Sequence, residues 1–194
     1  MTIGIFGGSF DPIHTGHLLV AETVRSDRGL DRVLFVPAAM PPHKPEGTEA
    51  PGEDRLEMAR AAVVGIPSLD VSDAEIRRGG ISYTLDTLEG FSRLHATAGS
   101  RFFLIVGMDS LMDIPNWKRP ESILERAGLL AVERPGYSLG QLPGWLEKRV
   151  EFVRAPRVDI SSTEIRERVR LGKSIRVWVP NPVERHIQER GLYR

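Results

Sequence analysis

Short apolar runs alternate with stretches of helical periodicity along the whole of this 194-residue chain. Such runs are typical of buried strands, and they predict strands at residues 3–6, 33–36, 69–71, 102–106, 129–132 and 150–153. Apolar residues three and four positions apart predict helices at residues 18–28, 54–64, 83–95, 162–171 and 182–190. Because parallel strands need helical crossovers, this alternation predicts an α/β fold, with a parallel sheet covered by helices on both faces.

The charge balance and the lack of cysteine narrow the classes of protein to which the chain can belong. Its 26 Lys and Arg residues equal its 26 Asp and Glu residues, so no basic excess indicates general binding of nucleic acid or of an anionic membrane. There is no cysteine for a disulfide or a thiolate metal site. No apolar segment approaches the roughly 18 residues of a membrane helix, and no signal peptide is recognisable. We therefore expect one cytoplasmic domain over residues 1–194, without nucleic-acid or membrane partners.

One stretch of the chain is poor in core-forming residues. Residues 41–53, PPHKPEGTEAPGE, contain four prolines and two glycines. The stretch follows the carboxyl end of a predicted strand, which is the edge at which ligands bind to open α/β sheets. It is either a tolerated surface loop or a mobile lid over a binding site.

The sequence GGSFDPIHTGH at residues 7–17 directly follows the first predicted strand. Gly7 and Gly8 permit a positive φ and let an anion approach the backbone closely. A helix that begins within the motif would aim its N-terminal N–H groups at the same point, as in many phosphate sites. His14 and His17 would lie on one side of the first turn of that helix.

This arrangement predicts a phosphate site. An imidazolium ring donates two hydrogen bonds, and a nearby phosphate favours that charged form. Gly16, between the histidines, would leave room for the ligand. Two alternatives stay open: a histidine near a helix start is often a surface or capping residue, and a histidine pair can bind metal. No Cys, Asp or Glu stands at ligand spacing to complete a zinc site, however.

A second motif, ISSTEIR, occupies residues 160–166. Ser161 and Glu164 have the spacing of a capping box at a helix start. The same residues would also make a second helix N-terminus for phosphate, with the hydroxyls of Ser161 and Ser162 and the guanidinium of Arg166 reaching a triphosphate. The two interpretations are compatible with each other.

The motifs together indicate a family. FDPIHTGH resembles the HxGH-type signature of the nucleotidyltransferase superfamily, and ISSTEIR resembles its second motif. Further motifs follow in the order PPHK (41–44), SYTLDTL (82–88), GMDSL (107–111), W (117), RPGY (134–137) and GLYR (191–194). Over nearly the whole chain they resemble the bacterial nicotinate-nucleotide adenylyltransferase family. The resemblance implies a Rossmann-like, doubly wound parallel sheet in a single domain, with a mobile loop near residues 41–53.

The resemblance also implies which residues bind each substrate. Those expected at the ATP site are Gly7, Gly8, Ser9, Phe10, His14, His17, Gly107, Asp109, Ser161, Ser162 and Arg166. Those expected to bind the pyridine nucleotide are Lys44, Tyr83, Thr84, Trp117 and Arg134. The residues to which it assigns catalysis are His14, His17, Lys44 and Arg166. Tyr83 and Trp117 could equally be core aromatics, and Asp109 could be a helix N-cap.

The reaction of that family joins nicotinate mononucleotide to the AMP part of ATP, in NAD biosynthesis. The attacking 5′-phosphate is ionised at neutral pH, so neither a general base nor a covalent intermediate is needed. Mg²⁺ would arrive with ATP, and we expect no metal ligands from the protein. Other superfamily members, such as phosphopantetheine adenylyltransferases or cytidylyltransferases, stay open as alternatives, as does a nucleotide-binding module without catalysis. The choice between nicotinate and nicotinamide, and between monomer and homodimer, also stays open.

Overall fold

A six-stranded parallel sheet forms the centre of the computed structural model, which describes residues 1–42, 46–94, 99–133 and 142–194. The strands are β1 (Thr2–Gly8), β2 (Arg32–Pro37), β3 (Leu69–Val71), β4 (Arg101–Gly107), β5 (Ala127–Glu133) and β6 (Val150–Arg154). Their order across the sheet is β3-β2-β1-β4-β5-β6, and each neighbouring pair is parallel. The predicted α/β fold with a Rossmann-like, doubly wound parallel sheet is therefore confirmed.

Helices cover both faces of the sheet. They are α1 (Thr15–Asp27), α2 (Gly52–Val63), α3 (Ala74–Arg78), α4 (Thr84–Leu94), α5 (Met108–Asp113), α6 (Pro120–Leu124), α7 (Gly144–Glu147), α8 (Ser162–Arg170) and α9 (Asn181–Arg190). Each predicted helix corresponds to one of the longer ones. The short helices α3, α6 and α7 have no predicted counterpart, and α5 is anticipated only by the alternative interpretation of Asp109 as an N-cap. Four to six residues are too few to repeat an apolar period.

Two apolar layers hold the helices against the sheet. In one layer α1 and α2 contribute buried residues such as Val24 and Met58. In the other layer α4 and α5 contribute buried residues such as Leu88 and Leu111. The strands pack between the layers with side chains that alternate from face to face, which is the arrangement expected of a sheet covered on both sides.

The direction in which strands are added to the sheet reverses at β1, which pairs with β2 on one side and with β4 on the other. In open α/β sheets, ligands bind outside the carboxyl ends of the strands at such a switch point. Gly8 ends β1 at this edge, and Gly107 ends β4 there. The fold therefore brings the histidine motif and the GMDSL segment to one crevice.

A side chain at Gly4, in the middle of β1, should destabilise the protein. A Cβ there would lie 2.9 Å from Ile105 Cδ1, 3.0 Å from Leu30 Cδ1 and 3.1 Å from Val33 Cγ2, all of which are buried. Gly4→Ala should therefore lower the free energy of unfolding by about 1–3 kcal/mol, measured by urea unfolding.

Gly90→Ala is the matched control for this substitution. A Cβ at Gly90, inside α4, would meet nothing within 4 Å, so the gain in helix propensity should raise the free energy of unfolding by about 0.5–1 kcal/mol. A Gly4→Ala variant as stable as the wild type would contradict the packing described.

Candidate active site

The chain turns sharply between β1 and α1. Gly7 and Gly8 extend β1, and the positive φ that a glycine would permit falls instead on Phe10, at 46°. The Phe10 ring folds back towards Gly8, where a Cβ would lie 3.0 Å from it. The ring is buried against Phe6 and Phe35, at centroid distances of 5.9 and 5.5 Å. Phe10, expected at the ATP site, thus anchors the turn in the core.

His14 and His17 lie together at the N-terminus of α1. His14 is the N-cap residue, and its backbone N–H donates to Nδ1 of His17 at 3.2 Å. The two rings stack with their centroids 3.7 Å apart. Because Nδ1 of His17 accepts, the neutral ring carries its proton on Nε2. Phe10 meets the His17 ring edge-on at a centroid distance of 5.1 Å, so this imidazole is fixed by packing as well as by a hydrogen bond.

Two details of this turn differ from what the sequence suggested. The space at Gly16 is taken by the His14 ring rather than left for a ligand, since a Cβ at Gly16 would lie 3.1 Å from His14 Nδ1. The first N–H of α1, from Thr15, donates to the carbonyl oxygen of Trp178 at 3.0 Å. That N–H is therefore already used within the protein and does not face a phosphate.

The N-terminus of α8 is bonded to the same turn. Ser161 is the N-cap, and its Oγ accepts from the Glu164 N–H at 3.1 Å, which confirms Ser161 as the capping residue of this helix. The Ser162 hydroxyl donates to the carbonyl oxygen of Pro12 at 2.9 Å. The two motifs recognised in the sequence are therefore in direct contact.

Arg166, from α8, reinforces that contact. Its side chain is 13% exposed, and Nη1 donates to the carbonyl oxygen of Asp11 at 2.8 Å. Its Nε donates to Oε1 of Glu49 at 2.6 Å, and Arg170, one helical turn further on, contacts the other carboxylate oxygen. A single carboxylate thus lies between two guanidinium groups.

A buried carboxylate holds the turn in place. Asp11 is buried, and it accepts from the backbone N–H groups of Glu49 and Ala50, at 2.8 and 3.1 Å, and from the Tyr193 hydroxyl at 2.8 Å. Burial, together with the negative charge of Asp11, raises the pKa of the Tyr193 phenol far above its usual range. The phenol therefore stays protonated and donates.

Arg55, on α2, is a second support that the sequence did not reveal. It is fully buried, and its guanidinium donates to the carbonyl oxygens of Ser9 (2.6 Å), Ala50 (3.2 Å) and Ala39 (3.3 Å). Burial lowers the pKa of Arg55, while the charge of Asp11 opposes that shift. Nothing in the local sequence distinguishes this arginine from a surface one. Tyr193, by contrast, belongs to the GLYR motif, which could have indicated a structural role for it.

The predicted nucleotide contacts after β4 follow the carboxyl end of the strand that pairs with β1. Gly107 is the N-cap residue of α5, and Asp109 is exposed in the first turn of that helix. The alternative interpretation of Asp109 as the N-cap is therefore wrong.

Tyr83 and Trp117 are both half-buried, so neither is a fully enclosed core aromatic. The Nζ of Lys118 lies 4.6 Å from the centroid of the Tyr83 ring and 3.0 Å from Oδ1 of Asp86. Trp117 Nε1 donates to Oδ2 of Asp113 at 3.1 Å. Lys118, the neighbour of Trp117 in the chain, therefore contacts both Tyr83 and Asp86 of the SYTLDTL segment, and no motif indicated it. Thr84 begins α4 next to Tyr83 and is half-buried.

A buried acid supports the SYT segment. Glu75, on α3, is 7% exposed, and it accepts from Thr87 Oγ1 at 2.5 Å and also bonds with the Ser82 side chain. Ser82 Oγ in turn accepts from the Ala39 N–H at 2.9 Å, which ties the segment to the end of β2. Burial raises the pKa of the Glu75 carboxyl, although the hydrogen bonds and the charge of Arg78 act against it.

Lys44 and Arg134 lie outside the described residues, so their roles stay predictions, as does the motion of the loop near residues 41–53. Within the described ranges, no three His, Cys, Asp or Glu side chains come together as a metal site would require. In the same ranges, no helix has the length and apolar character needed to cross a membrane.

The chain is similar to known proteins over its full length. A family model described as "Cytidylyltransferase-like" matches residues 5–168. The "Probable nicotinate-nucleotide adenylyltransferase" of Thermus thermophilus is 50% identical over 194 residues, which cover all of both chains. The relative of the same name from Rubrobacter xylanophilus is 43% identical over 201 residues, covering all of this chain and 92% of its own. The chain belongs to the nicotinate-nucleotide adenylyltransferase family.

Membership of the nicotinate-nucleotide adenylyltransferases confirms the resemblance drawn from the motifs, and with it the class of enzyme. The solved structure of Plasmodium falciparum nicotinic acid mononucleotide adenylyltransferase, complexed with NaAD, matches with a TM-score of 0.78 at 20% identity, over 99% of this chain and 97% of that one. A structure of that protein complexed with APC matches with a TM-score of 0.77. At this identity the likeness establishes a shared fold.

Tyr193→Phe should weaken the turn that carries the histidines, because Asp11 loses one of the three donors that the described residues give it. We expect the free energy of unfolding to fall by about 1–2 kcal/mol and kcat to fall with it. Ser100→Ala is the control. The Ser100 hydroxyl is buried without a hydrogen-bond partner among the described residues, so its loss should change the free energy of unfolding very little. Equal stability of Tyr193→Phe and the wild type would contradict a supporting role for the phenol.

The raised pKa of Glu75 predicts a pH-dependent stability. The folded state favours the protonated acid. The contribution of Glu75 to the free energy of unfolding is therefore complete below its ordinary pKa of 4.5, and it is lost as the pH rises through the raised pKa of the folded state. Glu75→Gln cannot ionise and keeps an acceptor for Thr87. Its melting temperature should therefore rise relative to the wild type as the pH increases from about 4.5 to 8. Thermal unfolding across that range measures the difference in melting temperature between Glu75→Gln and the wild type. A difference that does not change with pH would contradict the raised pKa of Glu75.

Proposed function

We propose that the enzyme joins nicotinate mononucleotide to the AMP part of ATP, with release of pyrophosphate, in the crevice over the carboxyl ends of β1 and β4. One observation carries this function: His14 and His17 are stacked at a helix N-terminus beside the switch point, in a chain 50% identical to a relative of that name. The Plasmodium falciparum neighbour is complexed with NaAD, the dinucleotide that this reaction would form, which supports the same product here.

The reaction needs alignment and charge stabilisation rather than proton removal. A 5′-phosphate oxygen of nicotinate mononucleotide attacks the α-phosphorus of ATP and forms a new P–O bond. The bond from the α-phosphorus to the bridging oxygen breaks, and pyrophosphate leaves with that electron pair. Because negative charge builds on the bridging oxygen, positive groups held near it lower the barrier.

The histidine pair is suited to this charge. Two imidazolium rings with centroids 3.7 Å apart repel each other, so double protonation is unfavourable without an anion. A polyphosphate favours one positive charge on the pair, and that charge would lie on His14, because His17 Nδ1 accepts from the His14 N–H and stays unprotonated. His17 Nε2, on the opposite side of the ring from the bond to His14, is the donor that we expect to meet the phosphates.

The remaining groups of the ATP site would act around this pair. They are Gly7, Gly8, Ser9, Phe10, Gly107, Asp109, Ser161 and Ser162. A Cβ at Gly7 would meet nothing within 4 Å, which supports an open stretch of backbone that a phosphate can approach. Asp109, exposed at the start of α5, would bind a ribose. Lys44 and Arg166 would stabilise the leaving pyrophosphate.

Tyr83, Thr84, Trp117 and Arg134 would form the pyridine pocket. The contact between Lys118 and the Tyr83 ring supports this arrangement, since it joins the SYT segment to the neighbour of Trp117. Half-buried aromatic rings can stack on a pyridine ring. Backbone N–H groups near Thr84 would bind the nicotinate carboxylate.

Mg²⁺ would enter bound to ATP and keep phosphate and water oxygens as its ligands, as is usual for this ion. The use of ATP and the absence of cysteine support a cytoplasmic enzyme.

The first test is product formation by the purified enzyme with ATP, Mg²⁺ and either nicotinate mononucleotide or nicotinamide mononucleotide. Dinucleotide and pyrophosphate in equal amounts with the acid, and far less with the amide, are expected. No product from the acid, in protein that binds ATP, would overturn the proposed reaction.

His14→Ala and His17→Ala should each lower kcat about a hundredfold, or roughly 3 kcal/mol, because each removes a group that stabilises charge in the transition state. His186→Ala is the matched control, since His186 lies on α9 and pairs with Asp54. Its activity should equal that of the wild type. Near-normal rates in folded His14→Ala and His17→Ala would refute the role given to the pair.

A further inference from the structure

A carboxylate of the protein itself lies between two arginines beside the histidine motif. Arg166 and Arg170 are four residues apart on α8, and Glu49 bonds to both. Burial opposes ionisation of Glu49, but the hydrogen bonds from the two arginines outweigh it and lower its pKa. A full negative charge therefore lies between the guanidinium groups at neutral pH.

The two arginines form a site that matches an anion with several oxygens. Arg166 is fixed to the motif turn by its bond to the Asp11 carbonyl oxygen at 2.8 Å. Its Nε faces one oxygen of Glu49, and Nη2 of Arg170 faces the other. Planar guanidinium groups bind carboxylate and phosphate in the same way, through paired N–H donors. The site therefore has the donors for two phosphate oxygens.

The side chain of Glu49 can leave this site without disturbing the turn. Its backbone N–H is held separately by the Asp11 carboxylate, at 2.8 Å. The Glu49 side chain is 40% exposed and that of Arg170 is 41% exposed, so side-chain rotation alone would release the pair. Arg166 would keep its bond to Asp11, and Arg170 would keep Glu167, at 3.5 Å.

We propose that Glu49 is an internal competitor of ATP: its carboxylate holds Arg166 and Arg170 in the ligand-free enzyme, and the triphosphate displaces it and binds both. The inference rests on the function proposed above and adds Arg170 to the groups that contact the phosphates. The exchange is favourable because the triphosphate brings more negative charge and more oxygens than one carboxylate. It also weakens ATP binding, because the apparent affinity is reduced to the fraction of molecules in which Glu49 has left the site.

The direction in which Glu49→Gln changes the KM for ATP tests the proposal. Loss of the competing charge should lower the KM for ATP about fivefold, which corresponds to about 1 kcal/mol, with kcat and the KM for nicotinate mononucleotide unchanged. If Glu49 merely supported Arg166, the same change would raise the KM for ATP or lower kcat. Glu49→Ala, which removes the acceptor oxygens as well, should lower the KM for ATP in the same direction.

Glu57→Gln is the matched control. Glu57 is an exposed carboxylate paired with Arg60 on α2, at 2.8 Å. Its removal changes the net charge of the enzyme by the same amount, so it should leave all kinetic constants unchanged. A fall in the KM for ATP in both variants would assign the effect to net charge and overturn the proposal.

Arg170→Met completes a double-mutant cycle with Glu49→Gln. Alone it should raise the KM for ATP several-fold, and in the double variant the benefit of Glu49→Gln should shrink, because one of the two freed donors is gone. Strict additivity of the two changes would mean that Arg170 does not bind the triphosphate.

Binding of inorganic tripolyphosphate, measured by calorimetry, separates this proposal from the proposed reaction. Glu49→Gln should bind tripolyphosphate more tightly than the wild type, and Arg170→Met more weakly, whether or not dinucleotide is formed. A wild-type enzyme that forms no dinucleotide would refute the reaction alone. Unchanged tripolyphosphate affinity in Glu49→Gln would refute the competition alone.

Discussion

The hydrogen bonds of the Asp11 carboxylate are the interaction on which the rest of the site depends. An ionised carboxylate that is removed from water costs several kcal/mol unless donors replace the lost hydration. Here the donors come from far along the chain: the residues that precede α2 and the phenol of Tyr193. The bond from Tyr193 therefore fixes the turn between β1 and α1 and also attaches the last segment of the chain to that turn.

The irregular backbone of that turn explains why so many arginines and hydroxyls surround it. A turn that belongs to neither strand nor helix leaves carbonyl oxygens without ladder partners, and buried carbonyls need donors. Arg55 supplies a donor to Ser9, Ser162 supplies one to Pro12, and Arg166 supplies one to Asp11. In consequence, the groups that satisfy the backbone are also those that bring α2 and α8 to the histidines. The placement of the histidines and the hydrogen bonding of the buried backbone therefore depend on the same side chains.

Local patterns were enough to predict the strands and the longer helices, because a buried parallel strand and an amphipathic helix each show a regular spacing of apolar residues in the sequence. The histidine motif also revealed its place at a helix start. Contacts between distant residues produce no local sequence pattern. Neither the pairing of Glu49 with Arg166 nor the burial of Arg55 could therefore be predicted from neighbouring residues. Local reasoning also erred in detail at Gly16, because the neighbouring His14 ring fills the space that a glycine leaves.

The bonds that shape the turn join residues that are very distant in sequence. Asp11 and Tyr193 are 182 positions apart, Asp11 and Arg166 are 155 apart, and Pro12 and Ser162 are 150 apart. Closing such long loops is entropically costly, so contacts of this kind are slow to form and tend to come late in folding. Ile3 of β1 pairs with Arg32 of β2, only 29 positions away, so these two strands can associate before the turn has any of these partners. Recovery of activity during refolding therefore reports the last steps of assembly, whereas the pairing of β1 with β2 belongs to the earlier ones.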